Sequence, residues 1–350
     1  MGEKYIAYVG SYSYRGTAKG ITIYNVDIKN GRFTKKDAIE VNNSSYLAVS
    51  HSKKYLYSIA DEGIVSFKIL PDGGLEQLNY ASIRGMRGCH LSIDSKDRYI
   101  FVSGYHDGKA TVLRLNPDGT VGPITDGVFH KGMGSAADRS FRPHINCSVL
   151  TPDEKYLCVV DLGIDQVLIY NFDDLSGQIQ LIDILRCELD SAPRHMIFSK
   201  DGKYMYLISE MKNTITIYSY SNSNHLPVFE KLQTVLSAGS KCSSLTAACA
   251  IKITSDQKHL LCSNDGDNSV GVFERNLETG LLKQLQVLPI SGDYPKDVTI
   301  FPDDTHIVSV NHISGILTFF QIDYKTGLMA MCAPPQPVNE PNCCLITSIH

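Results

Sequence analysis

The run CSVLTPDEKYLCVVD, residues 147–161, decides the fold prediction. It consists of an apolar strand, a polar turn around Asp153 and a second apolar strand that begins at Tyr156. Five further segments repeat this pattern, starting at residues 46, 90, 195, 250 and 298. The residues that open the second strand are Tyr55, Tyr99, Tyr156, Tyr204, His259 and His306, at spacings of 44, 57, 48, 55 and 47 residues. Such spacings are typical of four-stranded propeller blades, which repeat every ~40–50 residues.

A hairpin continues each repeat, and in five of the six repeats it contains glycine. After a short polar turn comes a strand of alternating character, as in QVLIYNF (166–172) and GILTFFQID (315–323). A turn with glycine, as in LSGQI (175–179), then leads to a fourth strand. Because the strands are short and no segment shows the helical period of 3.6, the sequence predicts an all-β fold.

The seventh repeat is divided between the two ends of the chain. YIAYVGSY (5–12) and GITIYNVD (20–27) match the second and third strands of a repeat, but no first strand precedes them. PNCCLITSIH (341–350) has the pattern of a first strand. Pairing it with the N-terminal strands would close the ring and remove its unpaired edge. We therefore predict one domain over residues 1–350, a seven-bladed β-propeller of four-stranded blades.

Composition and charge exclude several classes of protein. The 350 residues carry 33 Lys+Arg and 37 Asp+Glu, a net charge of −4 without a basic block, so we expect no nucleic-acid partner. Because no apolar stretch approaches the ~18–20 residues of a membrane span, we expect no membrane partner. The start of the chain lacks the pattern of a secretory signal, which predicts a cytoplasmic protein.

Cysteine and tryptophan usage narrows the prediction further. The ten cysteines lack a regular framework, and several lie in apolar strands, so we expect free thiols. No CxxC pair occurs, and the adjacent Cys343 and Cys344 are poorly placed to share a metal, so we expect neither a metal nor a cofactor. The absence of tryptophan disfavours the WD class of propellers.

The strongest candidate site residues lie where strands would meet the central channel of the ring. His144 precedes such a strand beside Arg142, and it could act as a general base or hold a loop. Arg194, followed by His195, could bind a carboxylate or phosphate, or form a salt bridge to a neighbour such as Glu210. Glu210 ends an apolar strand, where it would be an acid–base group or the counter-ion of Arg194.

Other polar residues occupy equivalent positions in further repeats. His90 follows Cys89, but adjacent strand residues point to opposite faces, which argues against a nucleophile and its base. Asp161 begins a turn, where capping is the simpler role. The remaining candidates, all considered for substrate binding, are Asp265, Lys296 and His312.

Two long segments resemble a known family. RPHINCSVLTPDEKYLCVVDLGIDQVLIY (142–170) and SAPRHMIFSKDGKYMYLISEMKNTITIY (191–218) are similar to the lactonase family of seven-bladed β-propellers. That family includes the propeller-type 6-phosphogluconolactonase and, more distantly, the carboxymuconate-lactonizing enzyme. The resemblance covers essentially the whole chain and implies metal-free hydrolysis of a sugar-acid lactone in the central cleft. It implies that His144, Arg194 and Glu210 are the catalytic residues. Arg194 would bind the anionic substrate or the developing oxyanion, and the other two would transfer the proton or activate water.

The chain departs from the family pattern at three positions. Asn146 stands where many members have a second histidine, and Ala250 stands where an acidic residue is common. Asp265 replaces an arginine, which reverses the charge near the expected anion site. Arg139, Arg142 or Lys296 could compensate for that reversal.

Three hypotheses about function follow. The first is a lactone hydrolase, whose partner is a small-molecule sugar lactone or related organic acid. The second is a propeller without activity that binds a small molecule or a protein, which the aspartate at position 265 favours. The third is a cycloisomerase acting on a muconate-type diacid, which would need additional cations and which the missing arginine disfavours.

Overall fold

The fold was examined in a computed structural model that describes residues 3–134, 141–223, 226–239 and 246–349. Seven four-stranded antiparallel sheets form a ring, so the predicted all-β, seven-bladed propeller is confirmed. We number the blades in chain order. Blade 1 contains β28 (Pro341–Ile349), β1 (Lys4–Ser11), β2 (Gly20–Asp27) and β3 (Arg32–Glu40), from the inside outward.

The other six blades each use four consecutive strands. Blade 2 contains β4 (Leu47–Val49), β5 (Tyr55–Ala60), β6 (Gly63–Ile69) and β7 (Leu75–Ser82). Blade 3 contains β8 (His90–Ile93), β9 (Tyr99–Gly104), β10 (Lys109–Leu115) and β11 (Val121–Phe129). Blade 4 contains β12 (Ile145–Leu150), β13 (Tyr156–Asp161), β14 (Gln166–Phe172) and β15 (Ile179–Arg186). Blade 5 contains β16 (Pro193–Phe198), β17 (Tyr204–Ser209), β18 (Thr214–Ser223) and β19 (Leu226–Leu236). Blade 6 contains β20 (Ala247–Ile253), β21 (His259–Asp265), β22 (Ser269–Arg275) and β23 (Leu282–Pro289). Blade 7 contains β24 (Pro295–Ile300), β25 (His306–Asn311), β26 (Ile316–Asp323) and β27 (Leu328–Pro337). A 3-10 helix covers Leu162–Ile164.

The repeated sequence pattern corresponds to the turn between the first and second strands of a blade. All six residues predicted to open a second strand are the first residues of those strands. In five blades a side-chain oxygen at the end of the first strand accepts a hydrogen bond from the amide of that residue, at 2.6–3.2 Å. Asp94 bonds Tyr99 in this way, and Thr151 bonds Tyr156. The polar residue of the turn therefore fixes where the second strand starts.

The ring is closed as predicted, by the C-terminal strand. In blade 1, β28 pairs with β1 from Lys4 opposite Ile349 to Ser11 opposite Pro341. The innermost strands of neighbouring blades contact one another all the way round, including β24 with β28 and β28 with β4. The apolar core lies between adjacent sheets. One cluster, for example, joins Phe101 of blade 3 to Val159 of blade 4.

The predictions of free thiols and of no membrane-spanning segment can be compared with the described residues. The nine cysteines within them are all free, as expected. No helix in these same segments has the length and hydrophobicity that crossing a membrane requires.

Candidate functional site

The innermost strands share an irregularity that determines which side chains face the channel. The pairing of first and second strands shifts by one residue at Asn146, Arg194 and Lys296, and β20 shifts around Cys249 and Ala250. Such a bulge interrupts the alternation of faces, so two consecutive side chains can point to the same side. The channel is therefore lined by pairs of neighbouring residues rather than by every second residue.

These side chains enclose a cavity of about 90 Å³ on the channel axis. All seven blades contribute to its lining: Tyr12, Ser45, Tyr46, Cys89, His90, Asn146, Arg194, His195, Cys249, Ala250, Lys296, Asp297 and Asn342. Four of the predicted residues, His90, Arg194, His195 and Lys296, are thus brought together although up to 206 residues separate them.

Arg194 and Glu210 form an ion pair beside this cavity. Arg194 Nη1 donates to Glu210 Oε2 at 2.5 Å, and the carboxylate lies at the end of β17, where it is buried. Desolvation opposes the charge of Arg194, but the nearby acidic groups, Glu210 among them, leave its pKa well above the ordinary value. Glu210 is therefore the counter-ion of Arg194, one of the two roles anticipated for it, and it holds the guanidinium in a fixed orientation.

Lys296 brings a second cation to the cavity. Its Nζ donates to Asn342 Oδ1 at 2.5 Å and lies 4.6 Å from the centroid of the Tyr12 ring. Arg87 contacts the same ring at 4.8 Å. Burial, together with the charges of Arg194 and Arg87, lowers the pKa of Lys296 to about 8. Among the described residues no carboxylate lies within ion-pair distance of Lys296, so this cation is available to an anion. The lining carboxylate of Asp297 lies 3.3 Å from Lys252 Nζ.

The histidines of the cavity lie against one another and a thiol. The rings of His90 and His195 are in edge contact, with centroids 4.9 Å apart, and His90 Nε2 lies 3.7 Å from Cys147 Sγ. Burial lowers the pKa of His90 to about 3 and that of His195 well below its ordinary value, so both rings are neutral at physiological pH. Tyr46 O–H lies 3.5 Å from His195 Nε2.

His144 is buried and is not among the residues that line the cavity. Its Nδ1 is 2.7 Å from the carbonyl oxygen of Tyr105, and its ring stacks on that of Tyr105 at 4.4 Å. Because a carbonyl can only accept, Nδ1 carries the proton and Nε2 is the basic nitrogen of the neutral ring. The backbone of Tyr105 also reaches the thiol of Cys89, which lines the cavity. His144 is therefore one residue removed from the cavity wall.

Asp161 has an internal role. Its Oδ1 accepts from the amides of His144 and Gly163, at 2.8 and 3.0 Å, and its Oδ2 lies 2.7 Å from Nδ1 of the buried His130. The side chain is fully buried and lies outside the cavity lining. Asp161 therefore caps the turn and fixes the backbone of His144.

Cys89 and His90 both face the cavity, so our expectation of opposite faces is wrong at this position. The cause is local: the amide of Cys89 bonds the carbonyl of Ser103, which also pairs with His90, so two residues oppose one. Burial nevertheless raises the pKa of Cys89 to about 12, and its thiol lies near backbone carbonyls. Such a thiol is a poor nucleophile.

The remaining candidates are not among the residues that line the cavity, although His312 and Asp265 lie next to lining residues, Tyr12 and Cys249. Arg142 is exposed, with its guanidinium 5.7 Å from the Phe141 ring. His312 Nδ1 lies 3.1 Å from the carbonyl oxygen of Pro341, next to Tyr12. Asp265 accepts from the amide of Gly266 at 2.7 Å. Arg139 is outside the described residues.

Several lining residues had not been anticipated: Tyr12, Ser45, Tyr46, Cys249, Asp297 and Asn342. A signal for most of them was present, because Ser45, Cys249 and Asn342 occupy in their blades the position that Arg194 occupies in blade 5. These three residues could have been identified by considering the residue at this channel position in every blade, and not only in the blades where it is charged.

Comparison with known proteins places this site in context. A family model described as "Lactonase, 7-bladed beta-propeller" matches residues 6–346. A 6-phosphogluconolactonase from Bacillus subtilis is 28% identical over 346 residues, which are 97% of each chain. The crystal structure of a proposed 6-phosphogluconolactonase from Bacteroides fragilis superimposes with a TM-score of 0.90 at 26% identity, covering 99% of this chain and 98% of the other.

A periplasmic gluconolactonase from Pseudomonas aeruginosa has the same fold. Its TM-score is 0.92 at 23% identity, with 99% of this chain and all of the other covered.

Proposed function

We propose that this chain, which belongs to the seven-bladed β-propeller lactonase family, hydrolyses the lactone of a sugar acid in its central cavity. The observation that carries the proposal is the position of Arg194, whose guanidinium lines the cavity while Glu210 holds it at 2.5 Å. A fixed guanidinium beside a buried cavity can stabilise the negative charge that develops on the carbonyl oxygen during hydrolysis. The 6-phosphogluconolactonase from Bacillus subtilis, 28% identical, supports the same class of reaction.

In the proposed reaction, a water molecule attacks the carbonyl carbon of the lactone. Nε2 of His144 is the base in this proposal, because Nδ1 is already committed to the carbonyl of Tyr105. Since His144 lies outside the cavity lining, the proton of the attacking water reaches Nε2 through one bridging water. Collapse of the tetrahedral intermediate breaks the ring C–O bond, and the proton passes to the leaving oxygen. The product is the open-chain hydroxy acid, and every step uses protein side chains without a metal.

We propose an anionic substrate of the 6-phosphogluconolactone type. Lys296 lines the cavity without a carboxylate at ion-pair distance among the described residues, and Arg87 shares the Tyr12 ring with it. Two cations in addition to Arg194 suit a phosphate or carboxylate group. Asp265, whose charge would oppose such a group, is not a lining residue, which favours activity over its loss. The free thiols of the described residues support a reducing compartment, the cytoplasm.

The test is hydrolysis of δ-gluconolactone and 6-phosphogluconolactone by the purified protein, with the spontaneous rate subtracted. We expect faster hydrolysis of the phosphorylated lactone, and a loss of about 10²-fold or more in kcat/KM for both His144→Ala and Arg194→Ala. Arg142→Ala is the matched control, since its exposed side chain lies outside the cavity. No rate above background for either lactone between about pH 6 and 8 would overturn the proposal.

A second candidate is a propeller that binds small organic anions without turnover. It is favoured by the Arg194–Glu210 pair, since a guanidinium already paired with a carboxylate can serve as a static binding group. This candidate predicts an increase in Tm with 6-phosphogluconate but no hydrolysis of either lactone.

A further inference from the structure

We propose that the wall of the central cavity contains a binding site for one thiophilic d¹⁰ cation, Cu⁺ or Zn²⁺, with His90, Cys147 and His195 as its ligands. These three residues come from the innermost strands of blades 3, 4 and 5. Each offers one ligand atom, and the three atoms lie within 4.8 Å of one another. The inference is independent of the proposed hydrolysis, which assigns no role to a metal.

The distances suit a small cation. Bond lengths of about 2.3 Å to sulfur and 2.0–2.1 Å to nitrogen place the two ligand atoms about 3.5 Å apart in a tetrahedral site and slightly further apart in a trigonal one. Cys147 Sγ and His90 Nε2 are 3.7 Å apart. The other separations, at most 4.8 Å, must shorten by up to about 1.5 Å, which side-chain rotation can supply.

The ligand atoms are available. His195 Nδ1 is buried and has no hydrogen-bond partner, which is costly unless a ligand occupies it. The one contact to His90 Nδ1, from the amide of Ser148, is 3.5 Å long, so little is lost when that ring changes tautomer to bind through Nε2. A metal binds the neutral form of both rings.

The charge of the surroundings favours a monovalent ion. Binding replaces the thiol proton of Cys147, which is released to solvent, so a Cu⁺ complex with one thiolate and two imidazoles is neutral. A Zn²⁺ complex would keep one positive charge near Arg194 and Lys252, and both of these cations act on His195. Asp297, which lies 3.3 Å from Lys252 Nζ, offsets part of that charge. We therefore expect tighter binding of Cu⁺ than of Zn²⁺.

Such an ion would link three consecutive blades at the channel. The ligands are separated by 57 and 48 residues, one per blade, which is why no short metal-binding spacing marks them in the sequence. A bound ion should therefore raise the Tm of the protein, because it binds only the assembled ring.

The experiment measures metal retained by the full chain. Protein freed of metal and reduced is loaded with Zn²⁺, or anaerobically with Cu⁺, then desalted and analysed for bound metal, with Tm recorded in parallel. Co²⁺ serves as a third probe because a thiolate ligand gives it a charge-transfer absorption. The variants are Cys147→Ser and His195→Gln, the second chosen because His195 Nδ1 has no partner to lose. The controls are Cys89→Ser, a thiol of the same cavity, and Cys262→Ser, a buried thiol of blade 6.

We expect about one equivalent of metal and a higher Tm for the wild type and both controls. Cys147→Ser and His195→Gln should lose that equivalent and the thermal shift, and Cys147→Ser should also lose the Co²⁺ charge-transfer band. A wild type that retains no metal overturns the proposal. It is equally overturned if Cys147→Ser and His195→Gln retain as much metal as the wild type, or if Cys89→Ser loses as much as they do.

Discussion

Arg194 shows how a single residue acquires its position. It lies at a bulge of β16, so its side chain points into the channel instead of the sheet interface. Glu210, at the end of the adjacent strand β17, meets it at 2.5 Å. The bulge of β16 therefore determines that Arg194 faces the channel, and Glu210 of the neighbouring strand β17 determines how the guanidinium is oriented there.

Replacing Glu210 by glutamine should separate orientation from proton transfer. We expect Glu210→Gln to reduce kcat/KM by about 10-fold, less than His144→Ala, because an amide can still accept a hydrogen bond from Arg194 but holds it less firmly. The measurement is kcat and KM on 6-phosphogluconolactone, with Tm as a check on folding. A loss as large as that of His144→Ala would mean that Glu210 itself transfers the proton.

Lys296 should make anion binding sensitive to alkaline pH. Since its pKa is lowered to about 8, the side chain loses its positive charge as the pH rises through that value. The affinity for 6-phosphogluconate, measured by calorimetry, is expected to fall above about pH 8 in the wild type and to stay constant in Lys296→Met. An equally steep fall in the variant would contradict this assignment.

The lowered pKa of Lys296 also affects the stability of the fold, which should rise with pH where the affinity for an anion falls. An unfolded lysine keeps its proton up to about pH 10.4, so between that pH and the folded value near 8 the unfolded chain binds more protons. The contribution of Lys296 to the free energy of unfolding therefore rises with pH across this window. Lys296→Met should lack this rise.

In blades 4 and 6, the hairpin between the third and fourth strands is held by a tyrosine of the preceding blade. Tyr99 of blade 3 donates its hydroxyl to the carbonyl of Leu175 in blade 4 at 3.0 Å. Gly177, in the same hairpin, has φ of 76°, and a Cβ there would collide with the ring of Tyr99. Gly280 and Tyr204 repeat the arrangement between blades 5 and 6. The glycines thus permit both a left-handed turn and a close approach between blades.

Two glycine substitutions separate these effects. Gly16 also has a left-handed φ, of 70°, but a Cβ there would meet nothing within 4 Å. Gly16→Ala should cost about 1 kcal/mol, the backbone term alone, whereas Gly177→Ala should cost about 2–4 kcal/mol because the Tyr99 ring must also move. Denaturant unfolding measures both. Equal costs would show that the contact with Tyr99 is unimportant.

At the scale of the whole molecule, closure depends on one strand. The pairing of β28 with β1 joins the two ends of the chain, and β28 also contacts blades 2 and 7. Without it, β1 would present an unpaired edge at the channel, and the apolar residues of two core clusters would lose part of their cover.

Deletion of residues 342–350 should therefore destabilise the entire ring. We expect a lower Tm and a broader transition, followed by calorimetry, because we propose that the seven blades melt as one unit. A synthetic peptide of residues 341–350 added to the truncated protein should restore part of the lost stability. An unchanged, cooperative transition after the deletion would show that closure is dispensable.

The sequence predicted the fold closely because the information is local and repeated. A polar turn residue and a strand opener such as Tyr99 or His306 recur in six copies, five of which also have a glycine hairpin. The pattern of residues 341–350 identified the missing strand. It also predicted the position of Arg194 in the channel, whereas for Glu210 it left two roles open, an acid–base group or the counter-ion of Arg194, and the structure shows the ion pair.

The contents of the cavity were decided by the tertiary structure. Bulges determine which neighbours share a face, as with Cys89 and His90, and hydropathy patterns do not reveal a bulge. Ring geometry then brings Tyr12, Arg194 and Lys296 together across more than 100 residues each. The sequence by itself therefore determined how many blades form and how they close, because each blade is specified locally. Only the closed ring decided which side chains meet on its axis, because those contacts join residues from different blades.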